Sequence, residues 1–248
     1  DENSLGFSFT SVDVVEGGGS GNDTLEGAAG VDANWTINGV DPPPPPTFNF
    51  VIVVDASGST VTDQVTFLPA IFPGTSVGDV NNDGFAPDTI LDAELAALID
   101  FRDQLEANGE LATLSLISFG TTATPEDMDP STPGVNDPST TVTADNDGNG
   151  VADFEDAVRG VRVQGVTNYE DALTAAIARF DAIPVADNQI LIFLSDGVPT
   201  VGGPYDTLVT ELENRGVVRH AFAIGLNPAL PPLDLIDSDV PPNTIRVL

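Results

Sequence analysis

Asp55, Ser57 and Ser59 stand two residues apart in Asp55-Ala56-Ser57-Gly58-Ser59, and a tight loop over that spacing can aim one carboxylate and two hydroxyls at a common point. Three hard oxygen donors on so small a loop suit Mg²⁺ or Ca²⁺ far better than Zn²⁺ or copper. A second oxygen-rich stretch puts Asp145, Asp147, Asn149, Gly150, Asp153 and Asp156 at positions 1, 3, 5, 6, 9 and 12 of an EF-hand-type calcium loop, with the Val151 carbonyl at position 7. Its one departure is Asp for Glu at the closing position, and so many carboxylates in one turn repel each other unless a cation intervenes. A less complete loop runs through Asp79, Asn81, Asp83, Gly84 and the Phe85 carbonyl. Its position 12 is Ile90, so Asp88 or Asp92 would have to close a distorted loop.

Such donors need rigid elements to aim them. Phe48 to Val54 is an apolar, largely β-branched run that breaks abruptly at the acidic turn, which reads as a buried parallel strand; chemistry in open α/β sheets collects at such strand ends. Leu91, Leu95, Leu98, Phe101 and Leu105 fall on one face of a helix that Asn108-Gly109 ends. Leu111 to Phe119 reads as the next strand and Thr140 to Thr143 as a candidate edge strand. A helix beginning at Asn168 turns Tyr169, Leu173, Ile177 and Phe180 inward and carries Glu170 and Asp171 in its first turn, where acids complement the dipole. Strand Ile190 to Leu194, helix Tyr205 to Glu213, strand Val217 to Ile224 and the run Thr244 to Leu248 complete an alternating order. That order predicts an α/β fold: a doubly wound, mostly parallel central sheet with helices on both faces.

The D-x-S-x-S turn after an apolar strand resembles the metal-ion-dependent adhesion site (MIDAS) of von Willebrand factor A domains. The family's site also draws a Thr and an Asp from two later loops. The resemblance assigns these to Thr167, in Gly165-Val166-Thr167-Asn168-Tyr169, and to Asp196, in Ser195-Asp196-Gly197. It implies that Asp55, Ser57, Ser59, Thr167 and Asp196 hold Mg²⁺ or Ca²⁺ with one position left open for a carboxylate of a partner. A cation with few charged ligands stays electrophilic, so the implied partner is a protein or glycan presenting an acidic group. The likeness covers residues 47–248, and the family's closing helix after the last strand has no counterpart in it. The loop Asp145 to Asp156 separately resembles dockerin-type calcium loops.

Residues 1–41 read as a separate β-rich segment, with strand-like alternation at Phe7 to Thr10 and Trp35 to Ile37. Between these, Gly18 to Glu26 fits the nonapeptide of calcium-binding β-helices at every fixed position, and the next nine residues keep Gly27, Gly30 and Asp32 but put Asn34 where an apolar residue belongs. This resembles the edge of an RTX repeat array, in which Asp23 and Asp32 would be calcium donors; a plain glycine-rich turn is the competing reading. The prolines at 42–46 form a stiff polyproline II spacer before the domain at 47–248.

The formal net charge of −32 comes from 39 acidic residues against 7 basic ones, all Arg. No basic patch can form from so few cations, which excludes nucleic acid and anionic lipid surfaces and leaves divalent cations as natural partners. A halophilic or marine solvated surface would account for part of the same acidity. The absence of cysteine removes disulfides, thiolate zinc sites and cysteine nucleophiles. Neither a signal peptide nor an apolar run of ~18 residues is present, so no membrane insertion is expected, and the opening Asp1-Glu2-Asn3-Ser4 reads as an interior piece of a longer multidomain chain. The only histidine, His220, sits in a strand pattern, so a serine beside a metal lacks a base and no enzyme is expected. The function these features imply is a calcium-stabilised adhesion or ligand-binding module of a secreted bacterial surface protein of the RTX type, exported by a type I system and working outside the cell. The alternative is a calcium-rigidified spacer or assembly module whose metal site is idle.

Overall fold

The computed structural model describes residues 24–26, 32–34, 45–62, 76–85, 87–132, 135–224, 231–238 and 245–247. The chain divides into two compact units, Asp1–Pro45 and Pro46–Leu248. In the first, β1 (Thr24–Glu26) pairs antiparallel with β2 (Asp32–Asn34), Leu25 opposite Ala33. Most of the RTX-like stretch, including Asp23, and the side chain of Asp32 lie outside the described residues.

The second unit is built around β3 (Phe48–Asp55), in which every residue after Phe48 is buried. It lies between β4 (Ala112–Phe119) and β7 (Asn188–Ser195) and runs parallel to both. Next to β7 comes β8 (Val218–Ile224), then β9 (Ile245–Val247), again parallel. On the other edge β5 (Ala123–Pro125) and β6 (Thr140–Thr141) pair antiparallel with the two halves of β4. The result is a seven-stranded sheet of order β5-β4-β3-β7-β8-β9 with β6 on β4.

Side chains on a strand alternate between faces, and here both faces are covered, so the central strand is apolar from Phe50 to Val54. Phe50, Ile52 and Val54 face Leu91, Leu95 and Leu98 of α2 (Ile90–Ala107) and Phe154 and Val158 of α3 (Asp153–Gly160); α1 (Ser59–Thr62) precedes them. Val51 and Val53 face the other core, with Tyr169, Leu173 and Phe180 of α4 (Tyr169–Ala182), Val209 and Leu212 of α5 (Asp206–Asn214), and Leu233 and Ile236 of α6 (Pro231–Ile236). The doubly wound, mostly parallel sheet expected from the alternation is therefore present.

Local details differ from the sequence reading. The closing half of the calcium loop from Asp145 continues as α3, because Phe154 and Val158 give it an apolar face. The edge strand shrinks to Thr140–Thr141, and α6, too short to show a helical period, inserts between β8 and β9. Among the described residues no helix is long and apolar enough to cross a membrane.

Phe193 of β7 is fully buried, with ring centroids 5.3 Å from Phe119 and 5.0 Å from Tyr169. Phe193→Ala should cost about 3–5 kcal/mol in urea unfolding; a loss under about 1 kcal/mol would contradict this packing.

Candidate metal centre

Parallel pairing lines up the carboxyl ends of β3, β4 and β7, with Asp55 level with Phe119 and Val54 level with Leu194. The turn after β3 is then tied down by main-chain bonds: Ala56 N donates to Phe119 O (2.7 Å), Gln164 N to Ala56 O (2.6 Å) and Gly58 N to Gly165 O (2.8 Å). Gly165 has φ +64, and a Cβ there would collide with the Thr121 side chain, so the loop carrying Thr167 can approach only as glycine. Thr167 O in turn accepts from Thr200 N (2.9 Å) and Val201 N (3.2 Å), which draws in the loop after β7. The Tyr169 hydroxyl donates to Gly197 O (2.6 Å) and fixes that loop beside Asp196.

These three loops bring the five expected residues together. Thr167 Oγ1 donates to Ser57 Oγ (3.1 Å), the Ser57 and Ser59 hydroxyls are 3.0 Å apart, and Ser59 Oγ donates to Asp196 Oδ1 (2.9 Å). Behind them Asp55 Oδ1 accepts from Ser57 N (2.9 Å) and Oδ2 from the Ser195 hydroxyl (2.5 Å). Asp55, Ser57 and Thr167 are 0%, 1% and 4% exposed, whereas Ser59 is exposed and Asp196 half-buried, so the cluster opens on one side. Three hydroxyls and two carboxylates are a hard-oxygen set that fits Mg²⁺ or Ca²⁺. Burial raises the Asp55 carboxyl above its ordinary range, against hydrogen bonds from Ser195 and Ser57 that lower it. A neighbouring cation would relieve that cost.

Two residues of this region were not among those expected. Ser195, directly before Asp196, clamps Asp55; its place in Ser195-Asp196-Gly197 was the available signal. Glu94 of α2 is 0% exposed, and neither of its carboxylate oxygens has a hydrogen-bond partner. Its signal was position: it follows Leu91 by three residues and precedes Leu98 by four, on the apolar face.

The two calcium-type loops lie elsewhere. In the loop from Asp145, Asn149 N donates to Asp145 Oδ1 (3.1 Å) and Asp147 Oδ1 (3.0 Å), and its amide to Asp147 Oδ2 (3.0 Å) and Asp156 Oδ2 (2.7 Å). Asp145, Asp147 and Asp156 thus gather around Asn149, and Val151 N donates to Asn149 Oδ1 (2.6 Å). Asp153 stands apart: it is buried and accepts from Asn146 N (2.9 Å) and Asn146 Nδ2 (2.8 Å), because it opens α3 and supports the loop's first turn. In the earlier loop Asp79 and Asn81 accept from Asp83 N (3.1 and 3.3 Å), and Asp83 accepts from Phe85 N (2.9 Å). Neither proposed closing acid turns inward. Asp88 accepts from the Ser76 hydroxyl (2.7 Å), Val77 N (2.7 Å) and Gly78 N (3.1 Å), and Asp92 forms a capping box with Thr89 while also accepting from Val80 N (2.9 Å). Loop donors hold Asp88, and Thr89 at the start of α2 shares Asp92 with Val80 N. Among the described residues no three acidic or histidine side chains form a ready-made metal cluster, so any ion held here relies on hydroxyl, amide or carbonyl oxygens as well.

No family model matches the sequence, and no curated protein matches it. Among solved structures, proximal thread matrix protein 1 from the mussel byssus aligns with a TM-score of 0.52 and 18% identity over 81% of this chain and 41% of its own. The same protein with its MIDAS motif occupied by zinc gives 0.51 and 17% over the same shares. The SpRpn10 VWA domain gives 0.49 and 13% over 82% of this chain and 88% of its own. This chain spans about 41% of the mussel protein's length. At such identities the likeness shows the fold alone, and together with the strand order it is the von Willebrand A, Rossmann-like α/β fold.

Burial also raises Glu94 well above the ordinary carboxyl range, with the charges of Asp55 and Asp196 adding to it. Carboxyls with raised folded-state values favour the fold while protonated, and that contribution is lost as pH rises from the unfolded value, near 4, through the raised one. In chelator the melting temperature should therefore fall as pH rises above the ordinary carboxyl range, and added calcium should restore more at the upper end. A melting temperature that rises with pH there in chelator would contradict the buried-acid description.

Proposed function

We propose that residues 47–248 form a metal-dependent ligand-binding module whose partner presents an acidic group. The observation that carries this reading is the meeting of Ser57, Ser59, Thr167, Asp55 and Asp196 from three separate loops at one point, open on one side. A divalent cation, when bound, supplies a Lewis-acidic point for a carboxylate. The chain's own residues do the positioning: Ser195 and Ser57 N hold Asp55, Tyr169 fixes the loop of Asp196, and the Gly58–Gly165 bond holds Thr167 against the turn. Val166, Val198 and Val201 are 44%, 44% and 41% exposed on the same loops, an apolar rim for a partner. The placement of His220, level with Ile192 and three positions short of Ser195, supports a role without catalysis. Zinc in the MIDAS motif of the mussel protein supports a divalent ion here; Mg²⁺ or Ca²⁺ suits the oxygen set better.

In the finer reading, Asp145, Asp147, Asn149, Asp156 and the Val151 carbonyl hold Ca²⁺ at the entry to α3, with a poorer site at Asp79, Asn81 and Asp83 and RTX-like donors at Asp23 and Asp32. The module then belongs to a larger secreted bacterial surface adhesin, binding a protein or glycan outside the cell. A second reading, a calcium-stiffened spacer or assembly module, is supported by the mussel protein, by name a matrix component of a thread.

Two measurements check these readings. On surfaces bearing a neutral peptide with a single Glu, or alginate, retention in calcium or magnesium should drop at least tenfold, about 1.4 kcal/mol, in chelator and in Ser57→Ala. Retention surviving both would overturn the adhesion reading, and no retention at all would favour the spacer. Chelator should lower the melting temperature by about 5–10 °C, with Asp147→Asn reproducing part of the drop; an unchanged curve would remove the calcium-loop claim.

A further inference from the structure

Glu94 sits where a leucine would be expected. Its neighbours on the helix, Leu91, Leu95 and Leu98, are core residues, yet its carboxyl is fully enclosed and neither oxygen has a hydrogen-bond partner. Leaving such a group unpartnered is among the costliest arrangements a fold can hold, so something in its surroundings must offset it. The charges acting on it are those of Asp55 and Asp196, both members of the strand-end cluster. A dry, unpartnered acid within electrostatic reach of two others marks the surroundings of a positive charge.

We propose that Glu94 is a third acidic group of the metal centre, whose buried, unpartnered carboxylate would hold a bound cation electrostatically without ligating it. This rests on the reading of the strand-end cluster as a divalent site. Among the described residues no three acidic or histidine side chains form a ready-made metal cluster, so Glu94 is assigned to the surroundings of the ion and not to its ligands. Asp55 and Asp196 alone balance a divalent ion; a third carboxylate leaves the centre net negative, which tightens cation binding and suits Ca²⁺, whose affinity follows ligand charge. Glu94 is thus a positioning residue for the ion, fully buried whereas Ser59 is exposed.

The test is calorimetric titration of the chain with Ca²⁺, in which the binding event abolished by Ser57→Ala identifies the strand-end site. Glu94→Gln, which keeps shape and removes charge, should weaken that event by about 10–100-fold, as expected for an outer-shell partner, and leave the other events unchanged. In chelator the same variant should melt no lower than the parent. A strand-end event of unchanged affinity in Glu94→Gln would overturn the proposal and make Glu94 a buried acid only. Were Glu94→Gln not to fold, Glu94→Asp decides: parental affinity overturns the proposal, and weakened affinity with an intact chelator melting temperature supports it. If Ser57→Ala abolishes no event, the divalent-site reading fails first, and Glu94's role fails with it.

Discussion

Everything at the open end of this molecule depends on one carboxylate without access to water. Asp55 ends the central strand, and its two oxygens are fixed by Ser57 N and the Ser195 hydroxyl. That clamp is possible because β3 and β7 are parallel and in register, so the ends of two distant segments meet. The same register, extended to β4, lets Phe119 O and Gln164 N anchor Ala56 and so place the turn that carries Ser57 and Ser59. Fold and site are one construction: a slip of one residue in β3 would exchange the faces of Ile52 and Val53 and move Asp55 away from Ser195.

Charge sets the second constraint. With 39 acidic residues and seven arginines, most carboxylates cannot be neutralised within the chain. Among the described residues the ion pairs lie on helix surfaces, Arg102 with Asp103, Glu106 and Glu155, Arg159 with Glu155, and Arg215 with Asp181 and Glu211. Arg179 and Arg219 are largely buried and bond main-chain carbonyls, including Glu126 O and Ile236 O. The acids of the loops use main-chain N–H groups instead, which orders a turn without cancelling its charge. Divalent cations are the physical complement of such turns, and the strand-end cluster adds hydroxyls that no arginine would require.

The sheet was legible because its strands are near-continuous apolar runs and its long helices keep a clear period; the turn from Asp55 was legible because its spacing is compact. Thr167 and Asp196 came only through a resemblance, since nothing local tells two distant loops to meet. The partners of Asp88 and Asp92 were not legible because spacing alone does not reveal which donors will claim a carboxylate, here the Ser76 hydroxyl with Val77 N and Gly78 N for the first, and Thr89 N and Val80 N for the second. Asp153 fits the loop pattern yet serves the start of α3. Glu94 was readable in principle, as an acid on an apolar helix face, but its meaning needed the neighbours that only the fold supplies.

The most direct measurement is a crystal structure of the chain grown with manganese or calcium, with the ion located by its anomalous scattering. The account predicts an ion at about 2.0–2.6 Å from the Ser57 and Ser59 hydroxyls, with Thr167, Asp55 and Asp196 around it. Ions confined to the loop from Asp145, with none at Ser57 and Ser59, would contradict it.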